Sequence, residues 1–378
     1  MGPLHGVRVI EIASLAPAPF GCMVLADLGA DVLRVDRPDR SGRQALPPVD
    51  PLCRSRRSIR LNLKDPAGVD VLLRLTDGAD VLVEAFRPGV AERLGFGPDV
   101  CAERNPRLIY ARMTGWGQDG PLADTAGHDI DYIAVSGSLD PIGRAGGAPV
   151  PPLNLVGDFG GGGMLLAFGL VCGLLEARRS GQGQVVDAAM VDGAALLASA
   201  LYGYRAAGLW SDERGTNLLD TGAHFYDVYE TADGKHVAVG AIEPQFHAEL
   251  VRLTGLDFPA EANHLDPTVW PETRERLAEV FRTRTRDEWC ALLEGSEACF
   301  APVLGLGEAP AHGHSRERGA FVELDGVAQP APAPRFSRTP PASPRPPVEP
   351  GAAPEGDLVS WGFSASEVEG LKAAGLVG

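Results

Sequence analysis

Two stretches hold the side chains best suited to move protons. Thr125-Ala-Gly-His-Asp-Ile-Asp-Tyr132 sets a histidine among acids, and Asn154-Leu-Val-Gly-Asp158 leads, after Phe159, into four consecutive glycines. An imidazole and a carboxylate differ in ordinary proton affinity by about two to three pH units. Such a pair can take a proton from one face of a carbon and return one to the other. His128 and Asp158 are the candidate pair. Each has a plainer reading: one of eight histidines is commonly a satisfied surface or core residue, and an Asp before a helix is commonly a cap, with glycine easing the turn. The functional reading of the glycines is that they let a ligand approach backbone N–H groups at a helix N-terminus, where negative charge is stabilised. That helix end would lower the Asp158 pKa and burial would raise it, and the sequence leaves the balance open. Glu243, in Gly240-Ala-Ile-Glu-Pro-Gln245, is a third candidate, set against the plain reading of a solvated loop glutamate.

Arginines gather in the first third of the chain: Arg34, Arg37, Arg40, Arg43, Arg54, Arg56, Arg57, Arg60, then Arg87 and Arg93. Guanidinium forks match phosphate oxygens, so the cluster suits a polyphosphate ligand such as a nucleotide-bearing carrier. About half of these side chains are expected instead to balance nearby acids such as Asp36 and Asp39.

The elements that must hold these residues follow from periodicity. Val7 to Ile12, Val32 to Val35, Leu61 to Leu63, Val81 to Ala85 and Leu108 to Met113 read as strands. Helices over Met23 to Leu28, Val69 to Leu75 and Val90 to Leu94 alternate with them, so an α/β fold with a parallel sheet covered on both faces is expected. The first β-α turn, Ser14-Leu-Ala-Pro-Ala-Pro19, lacks the glycine fingerprint of nicotinamide and flavin binders. Past Asp187 a long helix is expected from Ala188 to Tyr204. Then a hairpin (His224 to Glu230, Lys235 to Ile242) and helices near Gln245 to Thr254, Thr273 to Phe281 and Arg286 to Leu293, with a strand at Ala301 to Leu304, read as a smaller α+β domain. The expected division is 1–200 as the large domain, 201–222 as linker, 223–325 as the small domain, and 326–378 returning to the large one. Within that return, the proline-rich stretch Gln329 to Pro350 reads as an extended strap, and Ser364 with Glu367 as a capping box for a last helix.

Composition removes several function classes. A net charge of −16 disfavours nucleic acid as a partner. Six cysteines without CxxC spacing indicate neither a zinc site nor a disulfide framework, and are expected reduced and mostly buried. The longest apolar run, about Met164 to Leu175, is interrupted by glycines and reads as too short to cross a bilayer, so a cytoplasmic protein away from the membrane is expected.

The motifs also resemble a family. Gly6-Val-Arg-Val-Ile-Glu-Ile12, Ala26-Asp-Leu-Gly-Ala-Asp-Val32, Phe86-Arg-Pro-Gly89, Thr114-Gly-Trp-Gly-Gln118, Gly127-His-Asp129 and Gly181-Gln-Gly-Gln-Val-Val-Asp187 are similar to the family III CoA-transferases over nearly the whole chain. The Gly-His-Asp element with Asn154 to Asp158 resembles the racemase branch, which acts on 2-methylacyl-CoA thioesters. The resemblance implies a Rossmann-like large domain and an interlocked homodimer with each site between one subunit's large domain and the other's small domain. It further implies an acyl-CoA substrate of lipid metabolism, no metal, and no cofactor beyond the CoA that the substrate carries. Leu15, Arg37, Arg87, Arg93, Gly127, Asp129 and Tyr132 would contact CoA. His128 would take the proton from the 2S epimer and Asp158 from the 2R, through an enolate, with Glu243 of the partner subunit beside His128. Two other readings stand beside it: a CoA-transferase with an Asp158 acyl-enzyme, and a non-catalytic CoA-binding protein.

Overall fold

The computed structural model describes residues 2–38, 50–259, 261–352 and 355–377, so Arg40 and Arg43 of the arginine cluster lie outside the described residues. Six strands, β1 (Arg8–Ile12), β2 (Asp31–Asp36), β3 (Arg57–Arg60), β4 (Val81–Glu84), β5 (Ile109–Thr114) and β6 (Gln184–Ala189), form one parallel sheet in the order β3-β2-β1-β4-β5-β6. The period of two along each strand sorts its side chains onto two faces. Ile10, Ile12, Leu33, Val35, Leu82 and Tyr110 enter one core, while Val9, Val32, Val81, Val83, Ile109 and Ala111 enter the other. Helices α2 (Pro66–Thr76), α3 (Val90–Leu94) and α4 (Pro98–Arg104) follow the strands on the first face. On the second face lie α1 (Pro17–Asp27) and, after the short α5 (Asp129–Val135), a long helix whose π-wound start (Leu155–Met164) runs on into α6 (Leu165–Ser180).

That helix corrects one expectation. It is 26 residues long and contains an 18-residue stretch with a mean hydropathy of 1.6, long and apolar enough by length and composition to cross a membrane. The glycines do not break it, because neighbouring backbones pack where side chains are missing. Leu166, Leu170 and Leu174 enter the core, whereas Phe168 and Leu175 are exposed.

Other boundaries moved as well. Strand β3 ends at Arg60, and Leu61 only bridges to Val377. The single helix expected from Ala188 is two, α7 (Met190–Leu197) and α8 (Ser199–Ala206), because β6 continues to Ala189 and the chain breaks at Ala198. Compact units are 1–136 with 153–197 and 317–378, and 137–152 with 198–316. The stretch read as linker is therefore built into the second unit, where Asp220 accepts N–H bonds from Gly215 and Asn217 at 2.9 and 2.7 Å. The C-terminal segment of the first unit places Leu358, Trp361, Phe363 and Val368 in the first core. The expected capping box is present there: Ser364 Oγ accepts from Glu367 N–H, and Glu367 accepts from Ser364 N–H at 2.7 Å, at the head of its helix.

The second unit carries an antiparallel sheet of β7 (Tyr226–Glu230), β8 (His236–Gly240) and β9 (Phe300–Pro302), covered by α9 (Pro244–Thr254), α10 (Trp270–Phe281) and α11 (Arg286–Leu293). Of the six cysteines only Cys22 and Cys101 are buried, while Cys172 and Cys299 are exposed, so the expectation of mostly buried thiols fails.

Three histidines meet inside the second unit. His224 Nε2 lies 2.8 Å from His247 Nε2, and the His247 and His264 rings stack at 4.4 Å. Burial, then the neighbouring imidazoles, push His224 down to about 3 and His247 down to about 4. Both folded values lie below the ordinary histidine value, so this stability is fully present above about pH 6.5 and is lost as pH falls toward 4. Each histidine should steepen the loss by up to about 1.4 kcal/mol per pH unit. Hydrogen exchange at the Val237 and Val239 amides in the full-length chain checks this. Protection that stays flat from pH 7 to about pH 4.5, corrected for intrinsic exchange, would sink it.

Candidate functional site

In doubly wound sheets the ligand crevice opens beyond the carboxyl ends of the strands, where the chain order reverses. Here the reversal falls between β1 and β4, and a cleft of about 590 Å³ lies there. Its floor is the chain leaving β1 (Ile12 to Pro17), β4 (Ala85 to Pro88) and β5 (Met113 to Trp116). Thr125 to His128, Tyr132, Asp158 and Met190 complete the wall. Buried Glu84 shapes the floor by accepting the Phe86 N–H at 2.6 Å. Burial holds its carboxyl up to about 7 against that bond and Arg112.

His128 is the exposed N-cap of α5. Its N–H donates to Asp131 Oδ2 at 2.9 Å and its carbonyl accepts the Asp131 N–H at 2.9 Å, which fixes the backbone that carries the imidazole. One turn on, the Tyr132 ring packs edge-on against Trp116 with centroids 4.8 Å apart, and its hydroxyl donates to the Gly127 carbonyl. Burial, then Asp158 and Asp131, push the Tyr132 phenol up to about 12. A Cβ at Gly115 would lie 2.1 Å from that ring, so glycine is what admits it.

Asp158 reaches the cleft from the π-wound start of the long helix. Its carboxylate accepts from Asn154 Nδ2 at 3.0 Å. Burial raises its pKa, the Asn154 bond lowers it, Asp129 raises it and His128 lowers it, with a net upward shift. Burial therefore wins the contest that the sequence left open. The glycines do a different task from the one expected. A Cβ at Gly163 would sit 2.4 Å from the Pro17 carbonyl oxygen, and one at Gly161 2.6 Å from the Ala194 nitrogen. In the facing helix, a Cβ at Gly193 would sit 1.9 Å from the Gly161 carbonyl oxygen. Three of the four, Gly161 to Gly163, are buried and let the helix lie backbone to backbone between α1 and α7. The Asp158 N–H is not open to a ligand either, since Asp129 Oδ1 accepts it at 2.6 Å.

The expected CoA contacts divide. Leu15, Arg37, Arg87, Gly127 and Tyr132 line the cleft. Arg93 does not: it lies on α3, with a guanidinium nitrogen 3.1 Å from where a Gly89 Cβ would stand. Asp129 does not either, being 7 % exposed and turned onto the Asp158 backbone. Arg34, Arg54 and Arg56 are buried against Asp36, Asp27 and Glu11, and Arg57 pairs with Asp31, so these four are framework rather than phosphate ligands. Glu243 caps α9 in the second unit, exposed, with its carbonyl accepting the His247 N–H at 2.9 Å.

The sequence reading missed a neighbouring cleft of about 780 Å³ at the ends of β1, β2 and β3, which shares Ile12, Ala13, Arg37 and Phe86 with the first and adds Asn62 and Lys64. Lys64 stands four residues beyond β3, and its place past the end of a parallel strand was the available signal. Trp116 and Asn154 lie in stretches the sequence singled out, but their roles, lining the cleft and bonding Asp158, emerge only from the packing, as does Met190 altogether.

The residues match a described family. A model for CoA-transferase family III matches residues 4–353. The chain is 48% identical over 369 residues to the Mus musculus protein named alpha-methylacyl-CoA racemase, covering 97% of this chain and 95% of that one. It is 46% identical over 368 residues to the Homo sapiens protein of the same name, with 97% and 95% covered. The crystal structure of Rv3272 from Mycobacterium tuberculosis superposes with a TM-score of 0.75 at 28% identity, over 92% of this chain and 96% of that one. The chain belongs to CoA-transferase family III.

The glycine contacts give a direct test. Gly161→Ala should lower stability by about 1–3 kcal/mol, because the new methyl meets backbone that cannot move aside. Gly203→Ala in α8, where a Cβ meets nothing within 4 Å, should be neutral or slightly stabilising. Thermal unfolding of both variants decides it, and equal midpoints would refute the packing role.

Proposed function

We propose that the chain is a racemase of 2-methylacyl-CoA thioesters, working by two-base proton transfer. The observation that carries the reading is that His128 and Asp158, held by separate elements, stand on one cleft at the switch point of the sheet. The similarity to proteins named alpha-methylacyl-CoA racemase supports it.

The chemistry follows from the substrate. A thioester acidifies its α-hydrogen, so a base can remove that proton and leave its electron pair in an enolate. His128 would take it from the 2S epimer and Asp158 from the 2R. The other group, protonated, then returns a proton to the opposite face, and backbone N–H groups offset the charge on the enolate oxygen. The raised pKa of Asp158 suits a group that must hold a proton as well as accept one. Arg37 and Arg87 would meet the CoA phosphates, and Leu15, Trp116, Tyr132 and Met190 would enclose apolar parts of the substrate. This reading needs no metal and no cofactor beyond the CoA that arrives with the acyl group. It includes a homodimer, which would cover the exposed Phe168, Leu175, Leu196 and Leu197 and bring Glu243 of the partner subunit beside His128. It also assigns the enzyme to lipid metabolism in the cytoplasm, with neither nucleic acid nor membrane as a partner.

A transferase reading draws on the family's own name and on the Asp158 carboxyl in the cleft. There Asp158 would attack the thioester carbonyl, forming a mixed anhydride as CoA thiolate leaves; the thiolate would then attack the Asp158 carbonyl, giving an enzyme-CoA thioester and releasing the donor carboxylate. His128 has no task in that sequence.

Incubation of (2S)-2-methylacyl-CoA in D2O separates the readings. Deuterium at C2 with appearance of the 2R epimer is expected. His128→Ala and Asp158→Ala should each slow epimerisation by about 100-fold or more. CoA transfer to an added carboxylic acid, dependent on Asp158 but not His128, would establish the transferase instead. Tight CoA binding without either reaction would leave a binding protein.

A further inference from the structure

Asp129 is the residue after His128, and its side chain ends on Asp158. Its Oδ1 accepts the backbone N–H of Asp158 at 2.6 Å, across 29 residues of sequence, in a place only 7 % exposed. The π winding makes that N–H available: the Asn154 carbonyl is taken by Phe159 N–H at 3.3 Å, one residue later than an α-helix would use it. An orphan donor in the first turn of a helix is stabilised by an anionic acceptor. Gly157 allows the approach, since a Cβ there would lie 2.5 Å from Asp129 Oδ1. The other oxygen, Oδ2, is buried with no hydrogen-bond partner among the described residues. Among the described residues, no salt bridge thus accounts for a carboxylate at this position.

We propose that Asp129 is a positioning residue that couples the two bases: one side chain fixes the Asp158 backbone relative to the residue that carries the imidazole. This rests on the racemase reading above. It replaces a CoA contact, expected from the resemblance, by a bond inside the protein. A second consequence is electrostatic. The groups acting on Asp158 are Asp129, which favours its protonated form, and His128, which favours its ionised form, with Asn154 hydrogen-bonded to it. Asp129 also acts on the Tyr132 phenol, together with Asp158 and Asp131, which raise it, and Arg87 from the β4 loop, which lowers it. Removing the Asp129 charge should therefore make Asp158 a stronger acid.

Asp129→Ala and Asp129→Asn test both halves in the full-length enzyme. The alanine variant should lose about 100-fold in kcat for both epimers, the scale of an ångström-sized misplacement, while KM for the acyl-CoA changes less than about threefold. The asparagine variant keeps an oxygen acceptor, so it should recover most of that loss. Its Asp158-dependent limb of the pH–rate profile should move to lower pH by about half a unit or more. A rise in KM of about tenfold with kcat retained would make Asp129 a CoA contact and overturn the proposal. So would an unmoved pH limb in Asp129→Asn. If the wild type exchanges no deuterium at C2, the racemase reading fails by itself. Titration of the Asp158 carboxyl by 13C NMR in wild type and Asp129→Asn then still decides the coupling: a downward shift supports it, and coincident curves overturn it.

Discussion

The arrangement of this site depends on backbone-to-backbone contact between three helices. Where Gly161 and Gly163 meet Ala194 and Pro17, no side chain fits, so the start of the long helix lies closer to α1 and α7 than ordinary ridge packing allows. That closeness carries Asp158 to the cleft that opens beyond β1, β4 and β5, instead of leaving it at a solvent-facing helix end. The π winding belongs to the same constraint. Half of the π-wound residues, Gly157 and Gly160 to Gly163, have no side chain, and Gly161 to Gly163 are where the segment is pressed against its neighbours.

Proximity sets the electrostatics. Half-burying Asp158 beside a second carboxylate is unfavourable for two ionised groups, and the outcome is a carboxyl shifted upward, in the direction of the range where an imidazole ordinarily titrates. A reversible two-base reaction needs that convergence, because each group must serve as base in one direction and acid in the other. A fully solvated aspartate would be too weak a base, and a deeply buried one would never ionise. The single Asn154 bond opposes the upward shift and keeps the ionised form accessible.

Much of this was legible in the chain before its structure. Apolar runs gave β1, β2, β4 and β5 of the parallel sheet but placed the third strand just past β3 and did not show β6 as a strand, while Val90 to Leu94 and Arg286 to Leu293 matched their helices and Ser364 with Glu367 marked the last helix start. His128 and Asp158 were visible as chemical types. What sequence could not give was the purpose of the glycines. A run of four reads equally as a ligand cradle or as a packing seam, and only the atoms facing it decide between them. The same limit explains Asp129. Its spacing from Asp158 repeats no local period, so the bond between them is a fact of tertiary structure. The break at Ala198 was hidden because apolar residues continue across it with no proline or glycine to mark the turn.

The arginines follow a rule that joins the framework to the site. Those inside the sheet or beneath it are matched by carboxylates on adjacent elements, Arg56 by Glu11 and Arg54 by Asp27, because a guanidinium taken out of water must have its charge met. Those one residue past β2 and three residues past β4, Arg37 and Arg87, stand on the cleft wall, where water or an anionic ligand can meet the charge. Position along the strand therefore decides the role: the body of the sheet turns arginine into framework, and its carboxyl edge turns the same residue into a candidate phosphate ligand. In a chain of net charge −16, that sorting concentrates positive potential where an anionic carrier would have to enter.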